Sequence, residues 1–439
     1  MSRTTNSAGA SRWTAASHPF DTSLVQYCRD QFPGLQRTEN GQRVVFFDGP
    51  AGTQVPQCVA DAMADYLLHK NANHGGHFST SRESDELLHE AHQAHADFVG
   101  ASNANEVFFG QNMTSLTFAF SRALARTWQA GDEIIVTALD HDANSTPWEL
   151  AARDVGAVVH TVGYREDDWT LDLEQLQSLL NDRTRLVAAG CASNATGGIN
   201  PVEKITELAH QAGALVFLDA VHYGPHGLID VEDWGCDFMA CSDYKFFGPH
   251  LGMMWGRQSL LEELDAFKVR PAKDTLPAKW MTGTQSHESI AGGMACIDYL
   301  ADLGRRVDES PNAPSNRRES LVSGFEAIVA YEQELSLRLI NGLTSIDGLQ
   351  VIGITDVDRI DERFPTFSIR HPNVASPELA RQLAERGICV WSGNYYALEF
   401  SQRLGFEPDG MVRIGLVHYN TPTEVDRALE AIEAIVTQS

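Results

Sequence analysis

The stretch ALVFLDAVHYGPHGLIDVEDWGCDFMACSDYKFFGPH, Ala214 to His250, decides the fold. It holds two short apolar runs, ALVFLDA and CDFMACS, and each reads as a buried strand. The first ends at Asp219. The second ends at Ser242, with Lys245 three residues further on. A surface lysine normally sits among polar residues, whereas Lys245 stands between Tyr244 and the pair Phe246–Phe247, just before a Gly-Pro turn. An apolar pocket disfavours the charged form of an amine. Such a lysine releases its proton readily and can form a Schiff base with a carbonyl. On this run alone, a lysine that snorkels along apolar surface is the preferred reading.

The pattern continues outward. From about residue 105 to 255 apolar runs alternate with helical ones; EIIVTAL (Glu133–Leu139), AVVHTVGY and RLVAAGC read as further strands. NPVEKITELAHQAG reads as a helix with Asn200 as its cap, Pro201 in the first turn and Glu203 completing a capping box. Ile205, Leu208, Ala209 and Ala212 form its apolar face, and Gly213 ends it. Strand–helix alternation with short links predicts an α/β fold with a mostly parallel central sheet covered by helices. In such sheets ligands bind beyond the carboxyl ends of the strands, where Asp219 and Lys245 stand. Residues 1–20 are Ser/Thr/Ala-rich and predict a flexible arm. A large domain is expected over 47–295 and a smaller α+β domain over 21–46 and 296–439. Within the latter, Asp308–Ser320 reads as a surface loop, GFEAIVAYEQELSLRLINGL as a long amphipathic helix, and FPTFSIR and MVRIGLV as strands.

Composition bounds the function. The chain has 439 residues, 43% hydrophobic, enough for a large core. Its formal net charge of −26 would be repelled by phosphate backbones and anionic lipid, so neither nucleic acid nor membrane is an expected partner. No run approaches a membrane span, and the N-terminus lacks a secretory pattern. Seven scattered cysteines with no CxxC pair point to free thiols in a reducing cytoplasm rather than a zinc site or a disulfide framework. No GxGxxG follows the early strands, which argues against a nicotinamide-binding protein.

Three further positions carry chemistry. A carboxylate at the end of a strand, as at Asp219, can hold a protonated ring nitrogen; pyridoxal phosphate (PLP) needs such a partner for its ring to act as an electron sink. A simple turn cap is the plain alternative. FFGQNMTSLTFAF enters a helix at Asn112, Met113 and Thr114, whose backbone N–H groups suit a phosphate, or ordinary capping. His141 in LDHDANSTPW falls at another strand end, where its ring can stack on an aromatic group and move a proton; taken alone, a capping or core histidine is the default.

Taken together, the order and spacing of these motifs resemble the class V aminotransferase family of fold-type-I PLP enzymes, closest in pattern to cysteine desulfurases. The match runs from VVFFDGPAGTQVP (Val44–Pro56) to VRIGLVHYNTPTEVDRAL. The resemblance implies that Lys245 carries the covalent link to PLP, that Asp219 pairs with the pyridine nitrogen and that His141 stacks on the ring. It implies Asn194 beside the ring hydroxyl and phosphate contacts from Ser242, Asn112 and Met113. Thr284 in TGTQS would reach the phosphate of a neighbouring subunit, so a homodimer with shared active sites is implied. Arg413 would clamp the substrate carboxylate, a job that suits a planar fork. His77 and Gly52 match segments lining the substrate pocket.

Three departures shape the expected activity. His222 stands where desulfurases carry Gln, and Tyr244 where they carry His; its hydroxyl would reach the phosphate. Tyr396, preceded by Asn394 and Tyr395, stands where desulfurases carry the sulfur-accepting cysteine, and Trp391 where an arginine is common. The nearest thiol, Cys389, falls inside an apparent strand. The resemblance with these departures implies a PLP enzyme acting on a small cysteine-like amino acid: Cα deprotonation by Lys245, then C–S cleavage, as a desulfurase-like C–S lyase. Aminotransfer or epimerisation is the alternative within the family, and a non-catalytic PLP-binding relic the alternative outside catalysis. Whether a sulfur-acceptor protein docks is left open.

Overall fold

The computed structural model describes residues 20–39, 41–307 and 315–438. The expected arm lies outside them except for Phe20, which is buried and stacks on Tyr331 at 4.9 Å. Residues 308–314 of the expected loop also lie outside.

Seven strands form the main sheet: β1 (Val107–Gly110), β2 (Glu133–Thr137), β3 (Val158–Val162), β4 (Thr184–Gly190), β5 (Leu215–Asp219), β6 (Phe238–Ser242) and β7 (Gly252–Gly256). Their order is β1-β7-β6-β5-β4-β2-β3. Only β7 runs against its neighbours. This is the mostly parallel α/β sheet that the alternation predicts. β2, β6 and β7 are buried along their whole length and β5 in all but its first residue, which is why they read as unbroken apolar runs. β3 differs from these four: it is an edge strand, and Val158 is exposed.

The helices that matter below are α1 (Ser79–Val99), α2 (Met113–Leu124), α3 (Val202–Gln211), α4 (His287–Val307) and α5 (Arg317–Ser345). At α3 the capping expectation fails. Asn200 is buried, and its Nδ2 donates 2.7 Å to the Gly190 carbonyl at the end of β4, so it braces the sheet instead. Pro201 takes the cap position. α5 begins at Arg317, inside the expected loop, because Asn316 Oδ1 accepts from the Glu319 N–H and starts the helix there.

A second sheet is antiparallel: β8 (Gln350–Ile352), β9 (Thr366–Arg370), β10 (Trp391–Gly393) and β11 (Met411–Gly415), in the order β8-β9-β11-β10. The expected strand around Cys389 is split. Ile388–Cys389 pairs in parallel with Val45–Phe46, and only Trp391–Gly393 joins this sheet. Arg413 lies mid-strand on β11, opposite Ser368 and Trp391. No helix among the described residues is long and apolar enough to cross a membrane.

Candidate active site

The carboxyl ends of β4, β5 and β6 open into a cavity of about 900 Å³. Its lining includes Asn112, Met113, Thr114, His141, Asn194, Asp219, His222, Ser242, Tyr244 and Lys245, residues drawn from five separate segments. Register places Asp219 of β5 beside Ala240 of β6, so the acid and the Lys245 turn emerge side by side.

Lys245 Nζ donates to the carbonyls of Pro50 at 2.5 Å and Ala51 at 3.1 Å, and sits 4.8 Å from the Tyr244 ring centre. Burial, with the Arg413 charge behind it, lowers the amine to about 7, while Asp219 opposes the fall. At neutral pH a large share of this lysine is a free amine, the form that attacks a carbonyl. Asp219 Oδ1 accepts from the Val221 N–H at 2.9 Å, so it also caps the turn. Burial raises its carboxyl to about 6; the Val221 bond and Lys245 pull it back.

His141 Nδ1 accepts from the Ala143 N–H at 3.0 Å. Burial, then Lys245 and Arg413, lower the ring to about 4. His141 is therefore neutral with its proton on Nε2. Its ring stacks on Tyr396, with centres 5.2 Å apart. Asp140, one residue earlier, escaped the sequence reading. It accepts from Thr137 Oγ1, Asn144 Nδ2 and the Gly190 N–H, tying the His141 turn to β2 and β4. His250 also escaped it; its ring lies flat on Tyr244, with centres 5.1 Å apart. The only sequence signal for either was its closeness to His141 or Lys245.

At the start of α2 the capping use is present. Asn112 caps the helix, Oδ1 accepting from the Ser115 N–H at 2.9 Å. The Met113 N–H, expected to face a phosphate, instead donates to Ser242 Oγ at 2.9 Å. Ser242 accepts there, and its own hydroxyl proton remains to donate into the cavity. This closeness needs glycine on β7: a Cβ on Gly252 would collide with the Asn112 backbone.

Arg413 is buried and pairs with no carboxylate among the described residues. Its Nη1 donates to the Asn194 carbonyl at 2.9 Å, and its guanidinium lies 4.4 Å over the Tyr395 ring. Asn194 Nδ2 in turn donates to the Tyr395 carbonyl at 2.9 Å. Arg413 thus stands behind the wall formed by Asn194. The remaining expected residues lie further off. Thr284 is exposed and lines a second cavity of about 500 Å³, which shares Gln111 and His250 with the first. His77 is exposed, and its carbonyl accepts from Arg82. A Cβ on Gly52 would come 3.4 Å from the Tyr244 ring, so Gly52 backs the lysine turn rather than lining the cavity. Cys389 is half-buried in its strand pair, and burial pushes its thiol up to about 11.

Two buried atoms on the cavity wall, Asn194 Oδ1 and His222 Nε2, have no partner. Burial drives His222 well below its ordinary value, so it is neutral. An amine, a buried acid, two unmatched polar atoms and a helix N-terminus with a serine hydroxyl fit one aromatic group bearing an aldehyde, a ring nitrogen, a hydroxyl and a phosphate. PLP is that group. Fold and lining together define a PLP-dependent protein of fold type I. The Aminotransferase class-V family profile matches residues 45–314 and 321–428, and the chain belongs to that family. A probable cysteine desulfurase of Synechocystis sp. is 31% identical over 433 residues, spanning 94% of this chain and 96% of that protein. An aminotransferase-like protein of Gibberella zeae is 32% identical over 422 residues, spanning 94% and 98%. The solved apo structure of a cysteine desulfurase from Thermococcus onnurineus superposes with a TM-score of 0.83 over 94% of this chain and 98% of that one. Its 24% identity makes it a statement about fold.

Proposed function

We propose that the protein is a PLP-dependent C–S lyase that removes sulfur from a small cysteine-like amino acid by β-elimination. One observation carries the reading: Lys245 and Asp219 line one cavity, Arg413 is tied to the carbonyl of Asn194 on its wall, and Tyr396 lines the same cavity where the resemblance expects a sulfur-accepting thiol. When bound, PLP supplies an aldehyde for amines and a ring that draws electrons from Cα. Arg413 takes the substrate carboxylate with the guanidinium edge left free by Asn194. Lys245, largely a free amine, removes the Cα proton. Asp219 would hold a proton at the ring nitrogen, and His141 would offer its neutral ring to the bound group. The Cα–H pair then expels sulfur from Cβ; with water, cysteine gives sulfide, ammonia and pyruvate.

Transfer of sulfur to a protein thiol requires a mobile thiolate. Cys389, held in a strand with its thiol pushed up, does not supply one. Release as free sulfide needs no docked acceptor. Thr284, beside the cavity adjoining the site, supports a homodimer in which one copy's hydroxyl reaches the other's phosphate. All seven cysteines are free, which supports a reducing cytoplasmic setting.

The test is incubation of the PLP-loaded protein with cysteine and other amino acids, assaying sulfide, pyruvate, alanine and keto acid. Sulfide and pyruvate in equal amounts are expected. Alanine with sulfur left on the protein would overturn elimination in favour of desulfuration. Keto acid without sulfide would move the protein to aminotransfer.

A further inference from the structure

One buried ionisable pair has no part in the chemistry above. Asp243 opens the turn that carries Lys245. Its Oδ2 lies 3.0 Å from His95 Nε2 on α1, and both side chains are fully shielded from solvent. His95 Nδ1 lies 2.7 Å from the Ala91 carbonyl oxygen. A carbonyl only accepts, so Nδ1 carries a proton. A second proton must then lie between Nε2 and Oδ2, since a ring lone pair facing a carboxylate lone pair would repel. That proton makes either an imidazolium beside a carboxylate or a neutral ring beside a carboxylic acid. In both forms the pair has no net charge.

The surroundings favour the acid form. Asp243 Oδ1 is buried without a partner, which costs more for a carboxylate than for a carbonyl-like oxygen. Burial raises the Asp243 carboxyl, with His95 opposing. The titratable neighbours are neutral: His92 on α1, lowered to about 4, and the buried thiols of Cys241 on β6 and Cys296 on α4, both pushed up. Phe109 of β1 packs its ring against both histidines. The same aspartate closes the lysine turn. Its N–H donates to the Leu251 carbonyl, and its carbonyl accepts from the Phe246 and Gly248 N–H groups, each at 2.9 Å. Within that turn Phe247 is held at φ 75°, where a bulky residue is strained.

We propose that Asp243 and His95 are positioning residues, a one-proton, net-neutral tie that fixes the Lys245 turn to α1 without setting a charge beside the amine. The proposal rests on Lys245 being the cofactor lysine. Its test compares Asp243→Asn with Asp243→Ala in the full chain. Asn offers an N–H to a neutral Nε2 and keeps the tie, whereas Ala leaves Nε2 bare. Two readouts are used: hydrogen exchange at the Phe246 and Gly248 amides without cofactor, and PLP affinity from the visible band. Asp243→Ala should speed exchange at both amides and weaken PLP about tenfold, with Asp243→Asn within about threefold of wild type. A purely structural pair would lower every variant's unfolding midpoint without singling out these amides. Equal damage by Asn and Ala would overturn the neutral ring–acid form argued above, since it would mean that an ionised carboxylate facing an imidazolium is required. Equal indifference would overturn positioning. Should Asp243→Ala fail to fold, Gly293→Ala breaks the tie from α4, because its Cβ would collide with Asp243 Oδ2. A wild-type chain that gains no visible band with PLP sinks the cofactor-lysine reading instead; the exchange comparison still decides the tie.

Discussion

Two walls of the same cavity are built in opposite ways. The lysine wall grows out of β5 and β6; Asp219 and Ser242 are buried in register with neighbouring strands. The facing turn, Tyr395–Tyr396, follows β10. Both its residues are left-handed, at φ 55° and 62°, and Tyr396 is 70% exposed. Such a conformation costs about 1–3 kcal/mol per non-glycine residue. The turn is held by local ties: Tyr396 N–H to Asn394 Oδ1 at 3.0 Å, Asp142 N–H to the Tyr396 carbonyl at 2.7 Å, and the Asn194 bond to Tyr395. The difference assigns labour. On the proposed function, steps common to every amino acid would rest on the sheet ends, and the choice of side chain would rest on a strained turn that can change without disturbing them.

The largest effect should come from breaking the lysine wall. Lys245→Met should lower kcat by about 10³-fold or more and leave no PLP attached to the chain after borohydride. It should also change the pH dependence of stability. The folded chain releases the Lys245 proton near pH 7, whereas an unfolded lysine keeps it to about 10.5. Between those values the unfolded chain binds one more proton, so Lys245 adds stability as pH rises. Urea unfolding without cofactor should show wild type gaining on Lys245→Met from pH 7 upward and running parallel to it below. A constant gap across that window would mean that the amine is not depressed.

The two walls also differ in how far the sequence discloses them. Asp219, Ser242, Lys245, His141 and Asn194 all line the cavity, because apolar runs reveal where strands end and the α/β pattern says which ends matter. The partners of those residues were not legible. The His95–Asp243 contact spans 148 positions, and Asp140 gathers donors from three segments. The Met113 N–H donates to Ser242, a hydroxyl arriving from a strand 129 residues away. The left-handed turn carries no glycine at positions 395 and 396 to announce it. Local pattern gives direction and period. It does not give side-chain reach across a fold.

Tyr395 joins the walls, because its ring lies over Arg413. Tyr395→Leu removes a contact between a cation and a ring worth about 0.5–2 kcal/mol, while Asn194 still holds one guanidinium nitrogen. Substrate KM should rise roughly 3- to 30-fold, with kcat and PLP affinity within about threefold of wild type. Steady-state kinetics decide it. An equal fall in kcat would move Tyr395 from carboxylate binding into the bond-breaking step.

The smallest effect on stability is expected at Tyr396, the most exposed part of the turn. Tyr396→Gly relieves a left-handed residue but loosens the unfolded chain by about 0.5–1 kcal/mol. It also gives up the ring stack on His141, worth about 0.5–1.5 kcal/mol. The backbone bond from Asp142 to the residue 396 carbonyl survives the change. These contributions nearly cancel, so the unfolding midpoint should move by no more than about 4 °C. Selectivity should move more: opening this wall should raise kcat/KM for bulky S-substituted cysteines over cysteine by about 3- to 10-fold. A large loss of stability with unchanged selectivity would reverse the division of labour, making the turn a brace and leaving the choice of substrate to the sheet ends.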